Sequence, residues 1–101
     1  MVSTNTQIRK YEIVFILNPE ITEKEINDLV GQVSSEIKNL NGTIVKTDIW
    51  GLKKLSYPIQ KFKEGHYILI EFDILTSSIV QLNKTVEANE TIIRSLITKI
   101  N

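Results

Sequence analysis

The chain contains no cysteine, which excludes disulfides, thiolate nucleophiles and cysteine-based zinc or iron–sulfur sites. It has a single histidine, His66. A Ser–His–Asp arrangement would therefore depend on one residue in the middle of an apolar strand pattern, whose ordinary role is packing on the sheet. There is no G-x-S-x-G, no phosphate-binding P-loop and no G-x-G-x-x-G. Two prolines and four glycines leave no flexible linker and no low-complexity tract. No apolar run approaches the ~20 residues of a membrane span. The opening M-V-S-T-N-T-Q lacks the basic-then-apolar order of a secretory signal, so none is expected. Neither sign of charge is in excess: Lys plus Arg and Asp plus Glu are twelve each. A neutral chain is a poor non-specific binder of nucleic acid, because such binding rests on neutralising phosphates. A local basic patch stays compatible with that total.

What is present reads as one domain of 101 residues with one core. Residues 1–8 are polar and unpatterned, and a flexible N-terminal extension is expected there, with a single domain over 9–101. Tyr11 to Leu17 is a strand apolar on both faces, the pattern of a central strand, and Asn18-Pro19 ends it. Thr22-x-x-Glu25 fits a capping box. Ile26, Leu29, Val30, Val33, Ile37 and Leu40 then line one helical face, and Asn41-Gly42 supplies a left-handed stop. Thr43 to about Leu55 is a second strand, with Gly51 marking a bulge or a close backbone approach. Ser56 to Glu64 is expected to be a connection, in which Pro58 holds Tyr57 extended. Gly65 to Asp73 is the third strand. A second helix begins near Ser78, with Gln81 completing another capping-box pattern, and ends near Asn89. Ile92 to Ile100 is the last strand.

The order β-α-β-β-α-β folds into a four-stranded antiparallel sheet with both helices on one face, the ferredoxin-like α+β arrangement. The helices cover one face only. Val14, Ile16 and Leu69 are expected on the other, and an uncovered apolar face suggests a partner.

The stretch Trp50–Tyr67 concentrates the unusual residues. It holds the only Trp, the only His, two of the three Tyr and four of the ten Lys. From Lys53 to Lys63 there are four lysines (53, 54, 61 and 63) and no acid, a local charge of +4. Trp50, Tyr57 and Phe62 are interleaved with them. Cations for phosphates and flat rings for bases or sugars is an RNA-binding composition. A solvated lysine-rich hairpin with its aromatics in the core fits the same residues. An RNA-recognition motif fails on the third strand. Phe15 matches its first-strand signature, but His66, Tyr67, Ile68 and Glu71 stand where its third-strand aromatic and small residues belong. Catalysis finds little support. Glu23, Glu25 and Asp28 sit at a helix start, where carboxylates favour the dipole. The loop Asn18 to Thr22 lacks the Arg that acyl-phosphate hydrolysis on this fold would need.

Taken together, residues 9–100 resemble the bacterial ribosomal small-subunit protein six family. The family's opening is matched by Arg9, Lys10, Tyr11, Glu12, an apolar strand and Asn18-Pro19. Its most specific block is matched by Trp50, Gly51, Lys53, Lys54, Leu55, Ser56, Tyr57 and Ile59. Gly65 and Tyr67 match the start of its third strand, and Ile92, Ile93 and Arg94 its last. The resemblance implies a non-catalytic protein without cofactor or metal, on a cytoplasmic or organellar ribosome. Its partners would be small-subunit ribosomal RNA and ribosomal small-subunit protein eighteen, with no membrane and no small-molecule substrate. The rRNA-binding residues expected on this basis are Arg9, Lys10, Lys53, Lys54, Tyr57, Lys61, Lys63 and Arg94. Trp50, Leu52 and Tyr67 are expected to meet the protein partner. Lys stands where Arg is common in the family's basic pair, which removes the bidentate fork to phosphate. The charged tail that many members carry after the last strand has no counterpart here. A different expectation from the same elements is a ferredoxin-like interaction module that oligomerises through its sheet.

Overall fold

The computed structural model describes residues 7–100. Strands β1 (Ile8–Leu17), β2 (Thr43–Ile59), β3 (Phe62–Leu75) and β4 (Ile92–Ile100) alternate with helices α1 (Glu23–Asn39) and α2 (Ile79–Glu87) in the order β-α-β-β-α-β. The sheet order is β2-β3-β1-β4 and every pairing is antiparallel. The two strands with apolar residues on both faces, β1 and β3, take the centre, as the sequence pattern predicts.

One face of the sheet makes the core. Tyr11, Ile13, Phe15 and Leu17 of β1 and Ile68, Ile70, Phe72 and Ile74 of β3 pack under Ile26, Leu29, Val33 and Ile37 of α1 and Leu82 and Val86 of α2. Tyr11 and Phe72 are cross-strand partners with their rings stacked at 6.1 Å. The helices are joined where the Thr85 hydroxyl donates to Glu36 at 3.2 Å. Among the described residues, no helix is long and apolar enough to cross a membrane.

The capping box of α1 forms as the sequence predicts. The Glu25 N–H donates to the Thr22 hydroxyl at 3.2 Å, and the Thr22 N–H donates back to the Glu25 carboxylate at 2.9 Å. These bonds satisfy donors that a helix start leaves orphaned. At the other end it is Asn41, with φ 64, that takes the left-handed conformation. The Asn41 and Gly42 N–H groups then close back on Lys38 and Ile37 at 2.9 and 2.8 Å, a Schellman end.

Four expectations need correction. The extension assigned to residues 1–8 lies outside the described residues up to position 6, but Ile8 already pairs with Leu75 in β1. The Gln7 carbonyl also accepts from the Thr76 N–H at 3.0 Å. The connection Ser56–Glu64 is instead a continuation of the hairpin: β2 runs to Ile59, β3 starts at Phe62, and only Gln60 and Lys61 turn. Gln60 supplies the positive φ, 57, that so short a turn demands. Pro58 is tolerated because β2 is an edge strand, where its missing N–H costs no ladder bond. The third strand is accordingly longer at both ends than Gly65 to Asp73. The second capping box does not form. A single 3-10 turn over Thr76–Ser78 leads into α2, so Ser78 already has helical dihedrals and its side chain makes no cap bond.

Candidate nucleic-acid and partner interface

Two of the three irregularities in β2 shape this surface; the third, at Val45, lies toward its other end. The first is the bulge at Trp50, where the pairing steps from Ile49 opposite Ile68 to Gly51 opposite Tyr67. Gly51 takes φ 91, a backbone that a side chain disfavours. Alternation from Ile49, which lies opposite the core residue Ile68, puts the Trp50 ring on the face without helices, and the extra residue shifts the register that follows it. The ring stacks there on Tyr67 at 6.3 Å with 16° between the planes. The Lys53 ammonium lies 5.9 Å from the centre of the indole, within cation–π range.

The second irregularity is larger. Lys54 pairs with Glu64 and Ile59 with Phe62, so Leu55–Pro58 stand against the single residue Lys63. The surplus chain buckles, and the Tyr57 hydroxyl accepts a hydrogen bond from the Arg94 guanidinium of β4 at 3.0 Å. A groove of about 680 Å³ opens beside the buckle, lined by Pro19, Tyr57, Pro58 and Phe62, by Lys54, Lys61 and Lys63, and by one acid, Glu64. On the helix side, the His66 Nε2–H meets the Pro19 carbonyl at 3.3 Å and ties β3 to the loop after β1. That contact gives His66 a structural role.

The expected site residues fall into three groups. Trp50, Lys53, Tyr57, Tyr67 and Arg94 come together at one end of the open face. Lys54, Lys61 and Lys63 line the adjoining groove. Arg9 and Lys10 lie at the other end of β1, opposite Ile74 and Asp73. Six residues of strand separate Lys10 from Ile16, the partner of Arg94, or roughly 20 Å. The Lys10 ammonium is 3.9 Å from Glu71. Leu52 pairs with His66 on the helix side and does not join Trp50 and Tyr67. It lines a separate cleft with Ile21, Ile26 and Ile49.

The open face carries Val14, Ile16 and Leu69 as the alternation predicts. It also carries Leu96, which sequence reasoning did not single out. Leu96 is 65% exposed, and its signal was its position two residues after Arg94 on the same side of a strand. The Tyr57–Arg94 bond had no local signal, since it joins residues 37 positions apart across the end of β1. Among the described residues, no group of His, Asp and Glu could hold a metal ion.

The fold and this surface define a ferredoxin-like protein whose distinctive groups are cations and rings on an open sheet. The family model described as Ribosomal protein S6 matches residues 10–99. The small ribosomal subunit protein bS6 of Fusobacterium nucleatum is 37% identical over 92 residues, covering 91% of this chain and 98% of its own. That of Clostridioides difficile is 36% identical over 90 residues, covering 89% and 97%. The crystal structure of 30S ribosomal protein S6 from Thermotoga maritima superposes with a TM-score of 0.89 at 32% identity, covering 93% of this chain and 89% of that one. A chemotaxis kinase P2 domain from the same organism, at 16% identity and a TM-score of 0.61, shares the fold alone. The chain belongs to the ribosomal protein S6 family and is a protein of the small ribosomal subunit.

Proposed function

We propose that the chain is a structural, non-catalytic component that binds small-subunit rRNA of the 16S type together with ribosomal small-subunit protein eighteen. The observation that carries this reading is the meeting of cations and rings at one end of the sheet: Lys53 over Trp50, Trp50 on Tyr67, and Arg94 on Tyr57. The lysines of the adjoining groove extend the cationic surface along the hairpin.

The two sides divide the work. Lys53, Lys54, Lys61, Lys63 and Arg94 take phosphates of a folded RNA, with Tyr57 beside them. Lys53 and Lys54 are held on paired strands, so their spacing is fixed before contact and little ordering is needed there on binding. Arg9 and Lys10, at the far end, contact a second segment of the same RNA. The open face, with Trp50, Tyr67 and its apolar middle, is covered by the protein partner, while Leu52, on the helix side, falls outside that contact. Zero net charge suits this division, since long-range attraction to RNA is weak and the partner supplies the remainder. The setting is the cytoplasmic ribosome. The relatives described above are bacterial, and none favours an organellar ribosome.

Filter binding of small-subunit rRNA fragments, with and without protein eighteen, tests the reading. The double change Lys53→Ala with Lys54→Ala is expected to weaken binding alike across RNA sequences. It should also lower the salt slope by about 1.5–2, as expected for two lost phosphate contacts. An unchanged affinity and slope would remove both lysines from the interface.

A further inference from the structure

The hairpin arm beyond Leu52 and His66 has no third strand beside it, because β1 ends at Leu17, opposite His66. Its apolar side chains therefore have no core to enter. Among the described residues, Leu55, Tyr57, Pro58 and Phe62 belong neither to the buried cluster nor to the half-buried residues packed against it. Tyr57 is 59% exposed. Phosphate contacts alone give such an arm no use for these four side chains. Scattered apolar residues on a surface are ordinary, but a gathered patch marks a contact. Here the four line one groove, whose 680 Å³ lies inside the ~300–1,000 Å³ range of small-ligand sites.

The same groove is lined by Lys54, Lys61 and Lys63, all three exposed. The one acid among them, Glu64, stands opposite Lys54 in the strand pairing, so the cations outnumber it three to one. Flat apolar walls beside an excess of cations match the two parts of a nucleotide, a base and its phosphates. The geometry points to a groove that takes one unpaired nucleotide of the RNA, its base against the Tyr57 and Phe62 rings and its flanking phosphates on the lysines. A paired base cannot enter. In an A-form helix its faces are stacked on its neighbours, whereas a bulge or a junction leaves bases that can be splayed onto aromatic side chains. Stacking on a ring accepts any base, so the groove selects for an unpaired nucleotide and not for its identity. Tyr57 is also bonded to Arg94 at 3.0 Å, which makes the groove continuous with the cationic end of the sheet. That continuity favours a nucleotide over an acidic peptide.

This assignment rests on the rRNA reading for its class of ligand. Its test uses the full chain alone with short RNAs and needs neither rRNA nor protein eighteen for its main readout, so the two can fail separately. Fluorescence anisotropy at low salt compares three RNA stem-loops: one fully paired, one with a single unpaired adenosine in the stem, and one with an abasic residue at the same place. The unpaired adenosine should bind roughly tenfold tighter than the abasic residue, the scale of one base–ring stack. Tyr57→Ala and Phe62→Ala should each narrow that gap and leave the circular dichroism of the domain unchanged, because the arm lies outside the core. The double change Lys61→Ala with Lys63→Ala should instead weaken all three RNAs alike.

Equal affinity for the adenosine and abasic stem-loops would overturn the proposal, and would leave the proposed function standing if rRNA fragments still bind in the filter assay. A gap that survives both aromatic substitutions would overturn it as well. So would a fall in the amine reactivity of Lys61 and Lys63 on adding protein eighteen but not on adding the adenosine stem-loop, since the groove would then hold a protein segment.

Discussion

Single residues with unusual surroundings set several of the fold's joints. Gly65 is one. A methyl group there would strike the Ile16 side chain and come within 2.9 Å of the Leu17 carbonyl oxygen, which is backbone and cannot step aside. Gly65→Ala is expected to cost about 1–3 kcal/mol of stability in denaturant titrations. Gly51 is different, since the space around it is open and its positive φ is the constraint. Gly51→Ala should cost about 1–3 kcal/mol. It should also disturb the Trp50–Tyr67 stack, which the fluorescence of the only tryptophan would report directly. Glu25 provides a pH handle. The Thr22 backbone N–H, then the Thr22 hydroxyl, and more weakly the Lys24 charge hold its carboxyl below the usual carboxylate range. A depressed carboxyl contributes stability above its unfolded-state pKa and loses that contribution as pH falls through the folded-state value. Wild type should therefore be more stable than Glu25→Gln at neutral pH. The gap should close on acidification below the ordinary glutamate pKa. A gap independent of pH would show that the ionised carboxylate is not what stabilises the cap.

At the scale of elements, α1 and the two central strands carry the stability and the hairpin carries the surface. Phe15 is fully buried between the sheet and the helices. Phe15→Ala should cost about 3–5 kcal/mol, a large part of the ~5–15 kcal/mol available to a domain of this kind. Differential scanning calorimetry would show it as a clear fall in Tm. The arm beyond Leu52 is another matter. Past the end of β1 it pairs only with itself, and the Tyr57–Arg94 bond is its tie to β4. Tyr57→Phe should leave global stability within about 1 kcal/mol, the net worth of one exposed hydrogen bond. Faster amide exchange is expected, confined to the arm between Leu55 and Lys63. If exchange there is unchanged, the tie does not order the arm. These two substitutions separate residues that hold the fold from residues that position its surface.

For the whole molecule, the charge total hides the distribution that matters. Basic and acidic residues balance in number, yet the lysines gather on the hairpin, while Glu12, Glu71 and Asp73 lie toward the other end of the open face. The molecule is drawn out to 50 × 26 × 23 Å, which leaves room for contacts at both ends of the sheet. A neutral protein of this shape orients in the field of an RNA without being strongly attracted by it. If the proposed lysine contacts hold, the salt dependence of rRNA binding should follow the number of phosphates they neutralise and not the net charge of zero.

The periodicity of the sequence determined the element order, the central place of β1 and β3, the capping box at Thr22 and the side of α1 that packs. Each of these depends on neighbours within a few positions, where propensity and alternation act directly. The specific block from Trp50 to Ile59, with the opening Arg9-Lys10-Tyr11-Glu12, was enough to identify the family. Local patterns could not give the length of the hairpin, because a lysine-rich strand that pairs only with its hairpin partner looks like a loop. Nor could they show that Ser78 is already helical. Only the tertiary structure decided that Tyr57 reaches Arg94, that Leu52 turns away from Trp50 and that Leu96 completes the apolar row. These are facts of register. Whether two residues share a face depends on how the strands align and on where the bulges at Trp50 and Leu55–Pro58 fall, and each bulge resets the alternation that sequence reading relies on.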